Sequence, residues 1–222
     1  MGNAEPIVRF EPWDVNRRLT ELGEGLTVAV LGQTVERAHA AYAACTPHHP
    51  RNFAPITRWG NGIAALRDLL VPLWESMDRD GQPLIVSPAG TAITISGANA
   101  HTGRKGDIQP RTSSKGTVTV EAVARNGYLF PYMEAEAEAK AKKDEAIARN
   151  TWFLLIHLDR FIGQVRSELS HPTKLDDMRR VIEWSERIIL PPFDIDPTID
   201  SSSLSDESPD DGDITIEIKR RA

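Results

Sequence analysis

TWFLLIHLD, Thr151 to Asp159, is the stretch whose reading decides the fold. Its apolar side chains fall on odd and even positions alike, so an extended segment would leave neither face for water. A run this short, bounded by polar residues, predicts a central β-strand covered on both sides. Just downstream, Gln164 to Ser170 alternates between apolar and polar and predicts a strand paired with it. Upstream the two-residue period begins at Gln82. Leu84 and Val86, then Ile93 and Ile95, flank Ser87-Pro88-Ala89-Gly90, which predicts a β-hairpin, and Val118, Val120 and Ala122 predict a further strand. Between them lies the polar loop GANAHTGRKGDIQPRTSSKG, residues 97 to 116.

Helical spacing dominates the rest. Val15, Leu19, Leu22 and Leu26 recur at three and four residues, and Val35, Ala38, Ala41, Tyr42 and Cys45 resume that rhythm after Gly23, Gly25 and Gly32, predicting two helices. TPHHPRNFAP, 46 to 55, holds three prolines and reads as a connection. Ile63, Leu66, Leu70, Leu73, Trp74 and Met77 make one helical stripe, which Pro72 should kink or end near Leu70. MEAEAEAKAKKDEAIAR, 133 to 149, predicts a surface or bridging helix with acid-to-base pairs Glu136–Lys140 and Glu138–Lys142. Leu175, Met178 and Ile182 predict a short helix, closed by Pro191-Pro192. The expected architecture is α+β. It has a helical part (1–80), a mainly antiparallel sheet with one or two helices (81–193, folding with 1–80 or apart from it), an acidic linker (194–213) and a terminal strand (214–222).

The net charge of -6 is unevenly placed. Residues 194–213 hold eight acidic side chains (Asp194, Asp196, Asp200, Asp206, Glu207, Asp210, Asp211, Asp213) and no Lys or Arg, while 214–222 set Glu217 against Lys219, Arg220 and Arg221. Residues 1–193 therefore sum to zero, and a broad cationic face for nucleic acid is not expected. No run approaches the ~18 apolar residues of a membrane span, so neither a membrane span nor a membrane partner is expected. MGNAEPIVRF has Glu5, Pro6 and Arg9 where export or myristoylation would need other residues. The expected location is cytoplasmic. Cys45 is the only cysteine, which excludes an intramolecular disulfide and reads as a small buried thiol.

Four groups of residues suggest chemistry. In SPDDGDITIEIKR, 208 to 220, strand alternation puts Glu217 and Lys219 on one face and Ile214, Ile216 and Ile218 on the other. With Asp210 these residues resemble the PD-(D/E)xK nucleases, and the resemblance implies a divalent metal, Mg or Mn, bound by Asp210 and Glu217, with Lys219 stabilising charge on phosphate. The same residues also read as a tether leading to a strand that docks on a sheet edge, in this chain or in a partner. In the 97–115 loop, Arg104, Lys105, Arg111 and Lys115 outnumber Asp107 and are candidate anion ligands, or a surface for the chain's own acidic segment. His157 with Asp159, and Glu168 with His171, would divide acid and base roles or hold a metal if the fold brought them together; a histidine hydrogen-bonded by a neighbour accounts for His157 equally. His48 and His49 read as structural or exposed. Trp59, Trp74, Trp152 and Trp184 read as core, whereas Trp13, with Phe10, either pins the N-terminal arm or projects toward a partner.

The leading expectation for function is a non-catalytic interaction component of a cytoplasmic assembly, with another protein as partner and no cofactor. A metal-dependent nuclease and a nucleotide or small-anion binding domain stay open as alternatives.

Overall fold

The computed structural model describes residues 5–79, 81–106, 108–115, 119–120, 123 and 150–195. Strand β1 (Ile7–Arg9) precedes three helices, α1 (Pro12–Leu22), α2 (Val28–Ala43) and α3 (Phe53–Leu70). Then come β2 (Glu75–Arg79), β3 (Gln82–Val86), β4 (Ala92–Gly97), β5 (Thr151–Asp159), β6 (Gln164–Leu175), β7 (Val181–Ile189) and β8 (Phe193–Asp194). They form one sheet in the order β1-β7-β6-β5-β4-β3-β2, with β8 pairing β6 beyond the end of β7. β1–β7 and β4–β5 are parallel and the other pairs antiparallel. The fold is α+β, with the 151–159 strand central as its apolarity requires.

Helix boundaries follow local chemistry. Pro12 opens α1 at a position where a missing N–H costs nothing. Thr27 caps α2 by accepting the Val30 N–H at 3.1 Å. α3 stops at Leu70 because Val71, held extended ahead of Pro72, cannot continue it. Gly23, after α1, is where the Trp74 indole lies against the backbone, leaving no room for a Cβ.

The helices cover one face of the sheet. Leu19, Leu31, Val35 and Leu66 share a core there with Ile93, Trp152, Leu154, Leu169 and Ile188. On the other face Phe153, Leu155, Val181 and Trp184 cluster with Val123, and Leu84, Val86 and Ala92 form a smaller group. The 97–115 loop is stitched across this second face by bridges Ala98–Thr112 and Ser114–Arg180 and by the Trp184 indole N–H donating to the Pro110 carbonyl at 2.8 Å.

Several expectations are corrected. The stripe from Ile63 ends at Leu70: Leu73 is exposed and Met77 belongs to β2, whose pairing with β3 outweighs helical spacing. Thr119, Val120 and Val123 are helical, not strand. The helix expected at Leu175, Met178 and Ile182 is a hairpin. β6 runs through Leu175, the Asp176 carboxylate accepts the Met178 and Arg180 N–H groups, and Arg179 takes a positive φ of 60°. Trp59 is 42 % exposed, unlike Trp74, Trp152 and Trp184. Asp194 is the end of β8 and so is a paired strand residue. The helix expected at 133–149 and the strand expected at 214–222 lie outside the described residues, as does the linker beyond Ile195.

Candidate functional site

Strand alternation sets up the site. β5 buries Phe153 and Leu155 on the second face, and the same row continues with His157 and Asp159. Across the β5–β6 ladder stand Ser170, Glu168, Arg166 and Gln164 in turn. A row of polar side chains on β6 is thereby placed under the 97–115 loop, where water is largely excluded.

Each charge in this row has a defined setting. Glu168 and Arg187 are both fully buried and joined at 2.7 Å and 3.0 Å. Glu168 also accepts the Ser170 hydroxyl at 2.7 Å and the Gly103 N–H at 2.8 Å, while Arg187 donates to the Arg104 carbonyl at 3.1 Å. This pair therefore holds the loop down at both residues. Gly103, with φ of 67°, sits so close to β6 that a Cβ would lie 3.0 Å from the Arg166 Cβ and 3.3 Å from the Ser167 backbone.

Arg187 keeps one buried nitrogen, Nη1, without an acceptor, and beside it Arg166 keeps two. Arg166, only 5 % exposed, donates one N–H to Asp159 Oδ2 at 2.9 Å, and its Nε and Nη1 are buried without an acceptor. Arg104, its side chain 55 % exposed, approaches the same carboxylate oxygen at 3.2 Å. Two guanidinium groups thus converge on one carboxylate oxygen. Burial, then the nearby Arg104 charge, pulls the Arg166 pKa below the usual arginine range. Burial pushes Asp159 the other way, but the Ile162 N–H, Arg166, His157 and Arg104 outweigh it and hold its carboxyl below the ordinary range. The His157 imidazole, whose Nδ1 lies 3.1 Å from the Ala98 carbonyl, is held below its usual pKa by burial first, with the Arg166 and Arg58 charges adding to it. The arrangement is short of negative charge.

Of the four loop cations expected to bind an anion, Arg104 alone reaches this cluster. Lys105 lies over the Phe10 ring, Nζ 3.5 Å from its centroid, and Lys115 donates to Ser96 Oγ at 2.7 Å and Ser113 Oγ at 3.2 Å. Arg111 is exposed, its backbone N–H on Asn99 Oδ1. Asp107, Asp210, Glu217 and Lys219 lie outside the described residues. His171 stands on the helix-covered face beside Trp152 and Ser185, so the sheet itself separates it from His157. Among the described residues no three His, Cys, Asp or Glu side chains are grouped to hold a metal ion. Trp13 is exposed, its ring beneath Arg17, and His48 and His49 are exposed.

Sequence reasoning missed Arg166 and Arg187. A signal was present: a strand apolar on both faces, as β5 is, requires cover on both, so the polar row of its neighbour is buried as well. No family model, curated protein or solved structure matches the chain, and the functional reading rests on this geometry.

Proposed function

We propose that the protein works by recognition, as a non-catalytic interaction component that engages an anionic group of a partner protein, a phosphate or a carboxylate cluster, at the Arg104–Asp159–Arg166 end of the sheet. The observation that carries this is Arg166: a buried guanidinium with two donor nitrogens unmatched, sharing its one carboxylate with a second arginine. A buried donor left unmatched costs on the order of 1–3 kcal/mol, so an anion that reaches Arg166 recovers energy that the protein alone leaves unspent. Arg104 supplies the route, because its side chain is half in solvent and sits between Gly103 and Gly106, both at positive φ. Planar guanidinium groups match phosphate and carboxylate oxygens two at a time, which favours these ligands over chloride. The nuclease alternative rests on residues outside the described part of the chain and draws no support from the geometry.

Thermal unfolding of the full chain in a pyrophosphate titration at constant ionic strength tests the proposal. Saturation to about a hundred times Kd stabilises by about 2.7 kcal/mol, which for a chain of this size raises Tm by roughly 5–10 °C. Arg104→Ala should leave the ligand-free Tm nearly unchanged and remove most of that rise; Arg166→Gln should remove it as well. A flat Tm with pyrophosphate, and with citrate as a carboxylate probe, would defeat the proposal.

A further inference from the structure

We infer that the turn between β5 and β6 inserts into an apolar groove at the opposite end of the sheet in a second copy of this chain, so that copies associate head to tail. The contact does not depend on an anion binding Arg166.

The knob is the turn Arg160-Phe161-Ile162-Gly163, which follows the last rung of the β5–β6 ladder, Asp159 opposite Gln164. Phe161 is 100 % exposed, and Ile162 is exposed beside it. The turn is nonetheless held on every side. The Ile162 N–H donates to the Asp159 carboxylate, Arg160 donates to the Tyr42 hydroxyl at 2.6 Å, and the Gly163 carbonyl accepts the Ile195 N–H at 2.8 Å. Its backbone requires a glycine at Gly163, where φ is 63°, and asks for no large apolar side chain at the tip. A fixed aromatic ring in water beside arginines has the character of an interface anchor.

The groove lies where residues 71–76 pass residues 86–90 and has a volume of about 850 Å³. Trp74 and Val86, both buried, form its floor, and Val71, Leu73, Pro88 and Ala89, all exposed, form its rim. Such a volume takes a phenyl ring and its neighbour without crowding.

Topology keeps the two apart within one chain. β4 and β5 run parallel from Ala92 beside Thr151, so the Ser87–Gly90 turn is at their starting end and the knob is at the finishing end of β5. The nine residues of β5 put about 30 Å between them. Only another molecule's groove can receive the knob. Because the two patches differ, the contact is heterologous and repeats into a ring or an open chain of copies. Charge agrees with this pairing. Arg160 is in the knob and Arg104 contacts Asp159 at its base, while exposed Glu75 lines the groove and exposed Glu24 adjoins it, the Glu24 carbonyl accepting the Trp74 indole N–H at 2.7 Å.

Sedimentation velocity of the full chain tests the inference across about 10 μM to 1 mM, the range suited to a small, weak contact. The weight-average mass should rise by about twofold or more over that range. Phe161→Ser, which removes the knob, and Ala89→Arg, which sets a cation against the arriving arginines, should each stay monomeric. Both positions are exposed, and each variant should unfold at the temperature of the full chain. An equimolar mixture of the two should form a one-to-one pair, because each retains the half that the other lacks. A full chain that is monomeric throughout would overturn the inference and assign the tip to a different protein; variants that assemble like the full chain, or folded variants that fail to pair when mixed, would overturn it as well. Pyrophosphate should raise the Tm of Phe161→Ser as it does that of the full chain, since Arg104 and Arg166 are intact. Loss of either reading therefore leaves the other standing.

Discussion

Glu168 and Arg187 show how much of this fold rests on one buried contact. Neither side chain touches solvent, and between them they satisfy the Gly103 N–H, the Arg104 carbonyl and the Ser170 hydroxyl. Removing one member strands the other charge in a water-poor site, an event that costs about 3–5 kcal/mol, whereas replacing both with apolar side chains is often near neutral. Glu168→Ala should therefore lower the urea midpoint sharply. Glu168→Leu combined with Arg187→Met should recover much of the loss but not all, because the loop's own N–H and C=O lose their partners. Equal stability of the single and double variants would show that the pair is not what fastens the loop. Nothing local in the sequence marked this pair. Glu168 reads from the sequence as an acid, base or metal ligand beside His171, and Arg187 lies 19 residues away.

At the level of elements, the 97–115 loop is a second layer over the sheet. Its closeness to β6 depends on Gly103, which is both at positive φ and without room for a Cβ. Gly103→Ala should destabilise by at least about 1 kcal/mol and, by lifting Arg104 from Asp159, weaken pyrophosphate binding; unchanged unfolding and binding in paired titrations would count against this role. Other elements show why local spacing succeeds or fails. The Ser87–Gly90 turn was legible because its flanking strands pair with each other and its turn residues lie within four positions. The Leu175–Ile182 segment was not. Spacings of three and four there come from a bulged strand followed by a tight turn, and the choice is made by the hairpin ladder, in which Leu175 pairs with Val181, Lys174 with Glu183 and Pro172 with Trp184.

Acid stability belongs to the molecule as a whole, because one carboxylate ties the N-terminal arm, α1 and β7 together. Glu186 accepts from Arg9 at 2.5 Å and from Arg18 at 2.8 Å and 2.9 Å, and Arg9 also holds Asp14. Burial works to raise the Glu186 pKa, but Arg18 and Arg9 outweigh it and hold the carboxyl below the usual range. Its folded pKa therefore lies below its unfolded value of about 4.3. The stabilisation is fully present above that value and is lost as pH falls through the lower folded one. Denaturant unfolding should show Glu186→Gln less stable than wild type by about 1–3 kcal/mol at neutral pH, with the gap closing toward pH 3. A gap independent of pH would mean that packing, not charge, accounts for Glu186.

The sequence by itself determined the features that a few neighbouring residues control: the central β5, the first two helices, the hairpin before the loop, the stop ahead of Pro72, and the separation of charge into a neutral body and an acidic segment. Only the tertiary structure decided which polar residues are buried, that Arg104 and Arg166 meet on Asp159, and that His157 and His171 lie on opposite faces. The reason is physical. Periodicity reports how a side chain sits on its own element, whereas the environment of a charge is set by whatever covers it, and here that cover comes from a loop some sixty positions away in the chain.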